Sequence, residues 1–168
     1  MADRAGESLV QFSERLTGSA AFGTLFREGM DLVEETAAYL DGIGRTEAKT
    51  LDRAVSLTYA TESMRLTTRL MQLASWLLLH RAVKEGEMTL SQANREKTKV
   101  KLSAADPGAA DALAKLPPQL QALIARSMAL QSKVRRLDAT IHTPSTERAP
   151  IGNPLVPQLN RLKAAFER

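Results

Sequence analysis

Between residues 59 and 79 the chain reads YATESMRLTTRLMQLASWLLL, and residues 70–79 are apolar on every side except at Gln72 and Ser75. A soluble helix of that kind has to be covered on every side. Either the rest of the chain supplies the cover or another protein does.

The spacing of apolar residues on either side points to an all-α protein. Phe22, Leu25, Phe26, Gly29, Leu32, Val33, Thr36 and Leu40 fall on one helical face and predict a first helix over residues 20–40. Ser19 stands as its N-cap and Asp41-Gly42 as its stop. Glu28, Asp31, Glu34 and Glu35 make its other side acidic. A second helix is expected over residues 50–85, with Leu51, Val55, Tyr59, Leu66, Leu70, Leu73 and Leu77 as its stripe and Gly86 as the residue that ends it. Thr89-Leu90-Ser91-Gln92 has the pattern of a capping box and opens a short polar helix to about residue 101. Residues 104–116 are Ala-rich, with Asp106-Pro107 as a cap and first turn. A third long helix over residues 118–141 carries Leu120, Leu123, Ser127, Leu130, Val134, Leu137 and Ile141 in alternating steps of three and four. Arg126, Lys133, Arg135 and Arg136 make it basic, so it complements the acidic first helix.

These elements predict an antiparallel three-helix bundle with a long central helix and short accessory helices, over residues 19–142. Residues 1–18 are expected to be a flexible N-terminal segment. Pro144, Pro150, Gly152, Pro154 and Pro157 mark residues 143–168 as a Pro-rich disordered tail. Within that tail Leu159, Leu162 and Phe166 form a short amphipathic group suited to docking.

Lengths sharpen the question of cover. At about 1.5 Å per residue the first two helices span about 32 and about 54 Å. Packed antiparallel through a short connection, they pair Leu40 with the start of the second helix, and Ala20 with Leu70 or Met71. Residues 71–83 then overshoot the first helix by about 20 Å. Leu9, Val10, Phe12 and Leu16 could cover them, as could residues 90–116 or a second copy. We expect part of residues 70–83, Trp76 and Leu79 included, to lie in a subunit interface. The candidate partner or dimer contacts are Arg65, Arg69, Leu73, Trp76, Leu79, His80 and Val83.

No catalytic pattern emerges. The 168 residues contain no Cys, so disulfides, thiol nucleophiles and thiolate metal sites are excluded. His80 and His142 are the only histidines, and neither has a Glu three residues before it, as a di-iron bundle needs. No Gly-rich phosphate loop occurs. The paired acids of the first helix read as a solvated face. Glu62, Arg65 and Arg69 form either a polar binding strip or an intrahelical ion pair. His80, Arg81 and Lys84 read as the polar end of the second helix. No enzyme, metal or cofactor is expected. The N-terminal MADRAGESLVQF does not have the pattern of a signal peptide, and the apolar run is short of a bilayer span, so a cytoplasmic protein is expected.

The words ATESMRLTTRLMQLASWLLLHRAVKEGEMT, followed by REKTKVKL, resemble the most recognisable segment of the alphaproteobacterial DUF1465 family. FREGMDLVEETAAYLDG, residues 26–42, resembles that family's first helix. The resemblance spans roughly residues 20–142. It implies a three-helix-bundle adaptor that dimerises, ends in a disordered tail and has no enzymatic activity. It further implies a role in cell-cycle proteolysis, including CtrA degradation. The partners so implied are the ClpXP protease primed by a CpdR-like adaptor, a PopA-like adaptor, and substrate proteins. Recruitment to the cell pole belongs to the same implication.

Two other classes compete on the residues alone. Arg126, Lys133, Arg135 and Arg136, with Lys97, Lys99 and Lys101, suit a basic helical nucleic-acid-binding regulator, whose affinity would fall steeply with salt. The seam of the third helix suits a structural or export-chaperone-like helical oligomer.

Overall fold

The computed structural model describes residues 20–97 and 109–142. Among them the helices are α1 (Ala20–Asp41), α2 (Ile43–Ala48), α3 (Arg53–Lys84), α4 (Leu90–Lys97), α5 (Ala110–Leu113) and α6 (Pro118–His142). The described residues contain no strand. The N-terminal segment, Ser19, Asp106-Pro107, and the tail with Leu159, Leu162 and Phe166 lie outside the described residues.

Local chemistry sets the helix ends. Asp52 caps α3, its Oδ1 accepting from the Val55 N–H at 2.9 Å. At the other end Gly86 takes φ +75°, which a side chain would oppose. The Glu87 N–H then reaches the Ala82 carbonyl at 3.0 Å and the Gly86 N–H reaches that of Val83 at 3.1 Å, satisfying two carbonyls of the last turn. The capping box before α4 is reciprocal. Thr89 Oγ1 accepts from the Gln92 N–H at 3.1 Å, and Gln92 Oε1 accepts from the Thr89 N–H at 2.9 Å.

The three long helices bury one core. Phe22, Leu25, Leu32 and Tyr39 enter it from α1, and Leu66, Leu70, Leu73, Trp76 and Leu77 from α3. Leu120, Leu123, Ile124, Leu130 and Val134 enter from α6. Burial of each such large side chain is worth about 1.5–3 kcal/mol relative to exposure. Across the bundle edge Arg126 meets Glu35 at 2.6 Å and Lys133 meets Glu28 at 3.0 Å. All four side chains are about half exposed, so each pair contributes only about 0–1 kcal/mol and serves to orient the helices.

The same contacts give the helix directions. α1 is antiparallel to α6, as the two ion pairs show, and antiparallel to α3, since Phe26 lies against Arg81 while Ala37 shares a groove with Leu70. α6 runs parallel to α3: Ser127 bonds Arg69, and Asp138 bonds Trp76. α6 therefore begins back beside the N-terminal half of α3.

The register of α1 on α3 differs from the length estimate. Phe22 packs on Trp76 with ring centroids 6.4 Å apart, and Arg81 sits 4.8 Å from the Phe26 ring centroid. A Cβ built on Gly29 would lie 2.4 Å from Leu77 Cδ1, so the two helices make close contact there. α1 thus reaches the C-terminal end of α3, and it is the N-terminal end of α3 that overshoots. The connection folds into α2 instead of a plain loop, and α2 covers that end. Tyr39 donates to Glu47 Oε2 at 2.6 Å, and the site of a Cβ on Gly44 lies 2.7 Å from both the Tyr39 carbonyl and the Tyr59 hydroxyl.

Candidate functional site

The long helix α3 has two apolar stripes on opposite sides. The inner one follows Leu66, Leu70, Leu73 and Leu77 and is covered by α1 and α6. It also takes in polar groups. Arg69 turns inward and donates to Ser127 Oγ at 2.7 Å, and Ser127 donates on to the Ile124 carbonyl. Burial holds the Arg69 pKa below its ordinary value, with the Glu62 carboxylate acting the other way. Glu62 is buried too and receives Arg65 at 2.9 Å. The Glu62, Arg65 and Arg69 row is therefore one ion pair, Arg65 with Glu62, beside an inward Arg69 held by Ser127, and only Arg65 reaches solvent.

His80 is not at a polar helix end. It is fully buried, stacked on the Trp76 indole at 3.9 Å, with Nδ1 2.9 Å from the Trp76 carbonyl oxygen. Trp76 is 1% exposed and donates its indole N–H to Asp138 Oδ1 at 2.8 Å. Lys97 of α4 reaches Oδ2 of the same carboxylate at 2.6 Å. Leu73, Trp76 and His80 are thus covered by the chain itself. Within a protomer they lie beneath the surface, away from where a second copy could touch them. Leu79 and Val83 are half-buried.

The outer stripe lies open. Leu57, Met64, Met71 and Leu78 recur every seven residues and are 70%, 72%, 66% and 53% exposed. A strict seven-residue period keeps residues on one face of a helix that a second helix can follow. Small residues separate them: Ala60, Thr67, Thr68, Ala74 and Ser75. The only charged residues between Ala54 and Leu79 are Glu62, Arg65 and Arg69; Glu62 and Arg69 are buried, and Arg65 flanks the stripe while paired with Glu62. The stripe is uncharged over roughly 32 Å. A solvent-facing apolar surface of this kind marks a protein-interaction site more often than a solvated face.

Beside it, between α1 and α3, lies a half-open groove of about 310 Å³. Val33, Ala37, Leu40, Leu70 and Ala74 form its apolar lining, Met71 is shared with the stripe, and Asp41 stands at one end. Thr36, buried in its floor, has a hydroxyl with no hydrogen-bond partner. Leaving such a group unpaired costs about 1–3 kcal/mol.

Among the described residues no group of three or more His, Cys, Asp or Glu side chains could hold a metal ion, and no helix is long and apolar enough to cross a membrane.

The fold is an all-α bundle whose distinctive surface is the exposed apolar stripe of α3. Residues 13–166 match the family described as a protein of unknown function, DUF1465. The chain belongs to that family. No curated protein matches it. Among solved structures, RcdA from Caulobacter crescentus CB15 is similar at 48% sequence identity, over 79% of this chain and 99% of that one, with a TM-score of 0.65.

Proposed function

We propose that this protein is a non-enzymatic adaptor in regulated proteolysis that brings substrate proteins to the primed ClpXP protease. The observation that carries the proposal is its 48% identity to RcdA across 99% of that chain. The uncharged outer stripe of α3 supports it, since an adaptor works through protein contacts. CpdR-like and PopA-like adaptors are the proposed partners, and the cytoplasm, with recruitment to the cell pole, the proposed location. In this scheme the bundle holds cargo. The tail, through Leu159, Leu162 and Phe166, or a further helix face engages the protease.

A homodimer forms part of the proposal, with the outer stripe as its seam. The seven-residue spacing makes the stripe self-complementary: an antiparallel copy sets Leu57 against Leu78 and Met64 against Met71. Arg65, Leu79 and Val83 flank or adjoin it, whereas Arg69, Leu73, Trp76 and His80 support it from beneath.

The competing classes find less support. Arg126, Lys133 and Lys97 are matched by Glu35, Glu28 and Asp138, which leaves the exposed Arg135 and Arg136 as the remaining described basic residues of the nucleic-acid reading. The seam of α6 is spent on the protomer's own core. The test is degradation of candidate cargo by primed ClpXP with and without this protein. Faster degradation in its presence supports the adaptor role, and equal rates contradict it.

A further inference from the structure

We propose that the groove between α1 and α3 is the docking site of this chain's own C-terminal segment, residues 158–168. The groove has an apolar floor, an apolar wall at Met71 and an acidic outer edge. Asp41 lines it, and Glu34 lies seven residues earlier on the same face of α1. Neither carboxylate has an ion-pair partner among the described residues, and the α3 side of the groove brings no cation to match them. The ligand that fits is an amphipathic segment with apolar anchors and basic flanks.

Residues 158–168 read QLNRLKAAFER. Leu159, Leu162 and Phe166 stand three and four residues apart, so a helical turn would present them on one side. Arg161, Lys163 and Arg168 outweigh Glu167.

Geometry allows the contact. Asp138 lies level with Trp76, so α6 ends only about 14 Å along the bundle axis from Met71. Residues 143–157 intervene, and an extended chain of that length reaches about 50 Å. A tether this short holds the segment at an effective concentration in the millimolar range, an advantage no free peptide has. A partner bound in the groove would release the tail. That consequence, unlike the docking itself, rests on the adaptor role proposed above.

Because the natural chain has no Cys, Ala164→Cys offers one site for a nitroxide on the full-length protein, and the methionine methyls report its position. The expected result is broadening of the Met71 methyl at least twofold stronger than that of Met128 on α6. Adding Leu162→Glu and Phe166→Glu should abolish the difference. In a mixture of spin-labelled chains and methyl-labelled chains, both carrying Met64→Glu to keep them monomeric, Met71 should stay sharp. Equal broadening of Met71 and Met128 overturns the proposal. So does broadening of Met71 in the mixture, which would assign the groove to the tail of a second copy. An unbroadened Met71 whose resonance moves on dilution assigns the groove to the face of a second copy and likewise overturns it. None of these readouts involves the protease, so they stand or fall apart from the adaptor role.

Discussion

Trp76 donates its indole N–H to Asp138 at 2.8 Å, joining the most apolar stretch of α3 to the last turns of α6. Lys97 closes on the same carboxylate, so one acid ties three helices together. Asp138→Ala leaves a buried N–H unpaired, which costs about 1–3 kcal/mol. Asp138→Asn keeps an acceptor for Trp76 but loses the charge that Lys97 answers, and should fall between. Urea denaturation followed by the fluorescence of the single Trp measures both.

A second prediction separates the two stripes. Trp76→Ala opens the core and should cost about 3–5 kcal/mol. Met64→Glu and Met71→Glu alter solvent-exposed positions and should change stability by no more than about 0.5 kcal/mol. The same two charges should leave the protein monomeric in sedimentation at concentrations where the natural chain dimerises. A fully folded Trp76→Ala protein that had merely lost its dimer would place Trp76 in the subunit interface after all.

Gly44 tests the cover over the overshooting end of α3. A methyl group there would lie 2.7 Å from a backbone oxygen, which cannot rotate away. Gly44→Ala is expected to destabilise by about 1–3 kcal/mol despite the better helix propensity of Ala. Thermal unfolding followed by circular dichroism would show it.

The alkaline limb of stability carries a signature of the same region. Burial, aided by the hydrogen bond to the Glu47 carboxylate, pushes the Tyr39 phenol well above its ordinary value of 10.0, and burial also raises Tyr59. Above about pH 10 the unfolded chain loses these protons while the folded chain keeps them, so stability should fall as pH rises further. Below that pH the two tyrosines contribute no slope. Tyr39→Phe should flatten the limb in denaturation series run from pH 8 to 11.

Much of the fold was legible in the residues. The apolar spacing of α1 and α6 and the punctuation at Gly86 and at Thr89 with Gln92 locate helix ends to within a residue or two. The register was not legible, because α2 (IGRTEA) has one large apolar residue, Ile43, and that residue is exposed. With no periodic signal there, the connection reads as a loop and the overshoot is assigned to the wrong end of α3. The outward face was hidden for a different reason. α3 holds two seven-residue apolar series, and the inner one includes Glu62, Arg69 and His80. Polar residues draw attention to the buried side, whereas Leu57 and Met64 carry no such mark, and Met71 and Leu78 read only as part of a stretch that needs cover.

The most direct measurement of the central claim is the rate at which primed ClpXP degrades a bound cargo protein in the presence of the natural chain and of its Met64→Glu, Met71→Glu variant. An adaptor acting through the outer stripe predicts strong acceleration by the natural chain and near-complete loss of it in the variant, with both proteins equally folded. Degradation at one rate in all three reactions, with natural chain, with variant and with neither, would contradict it.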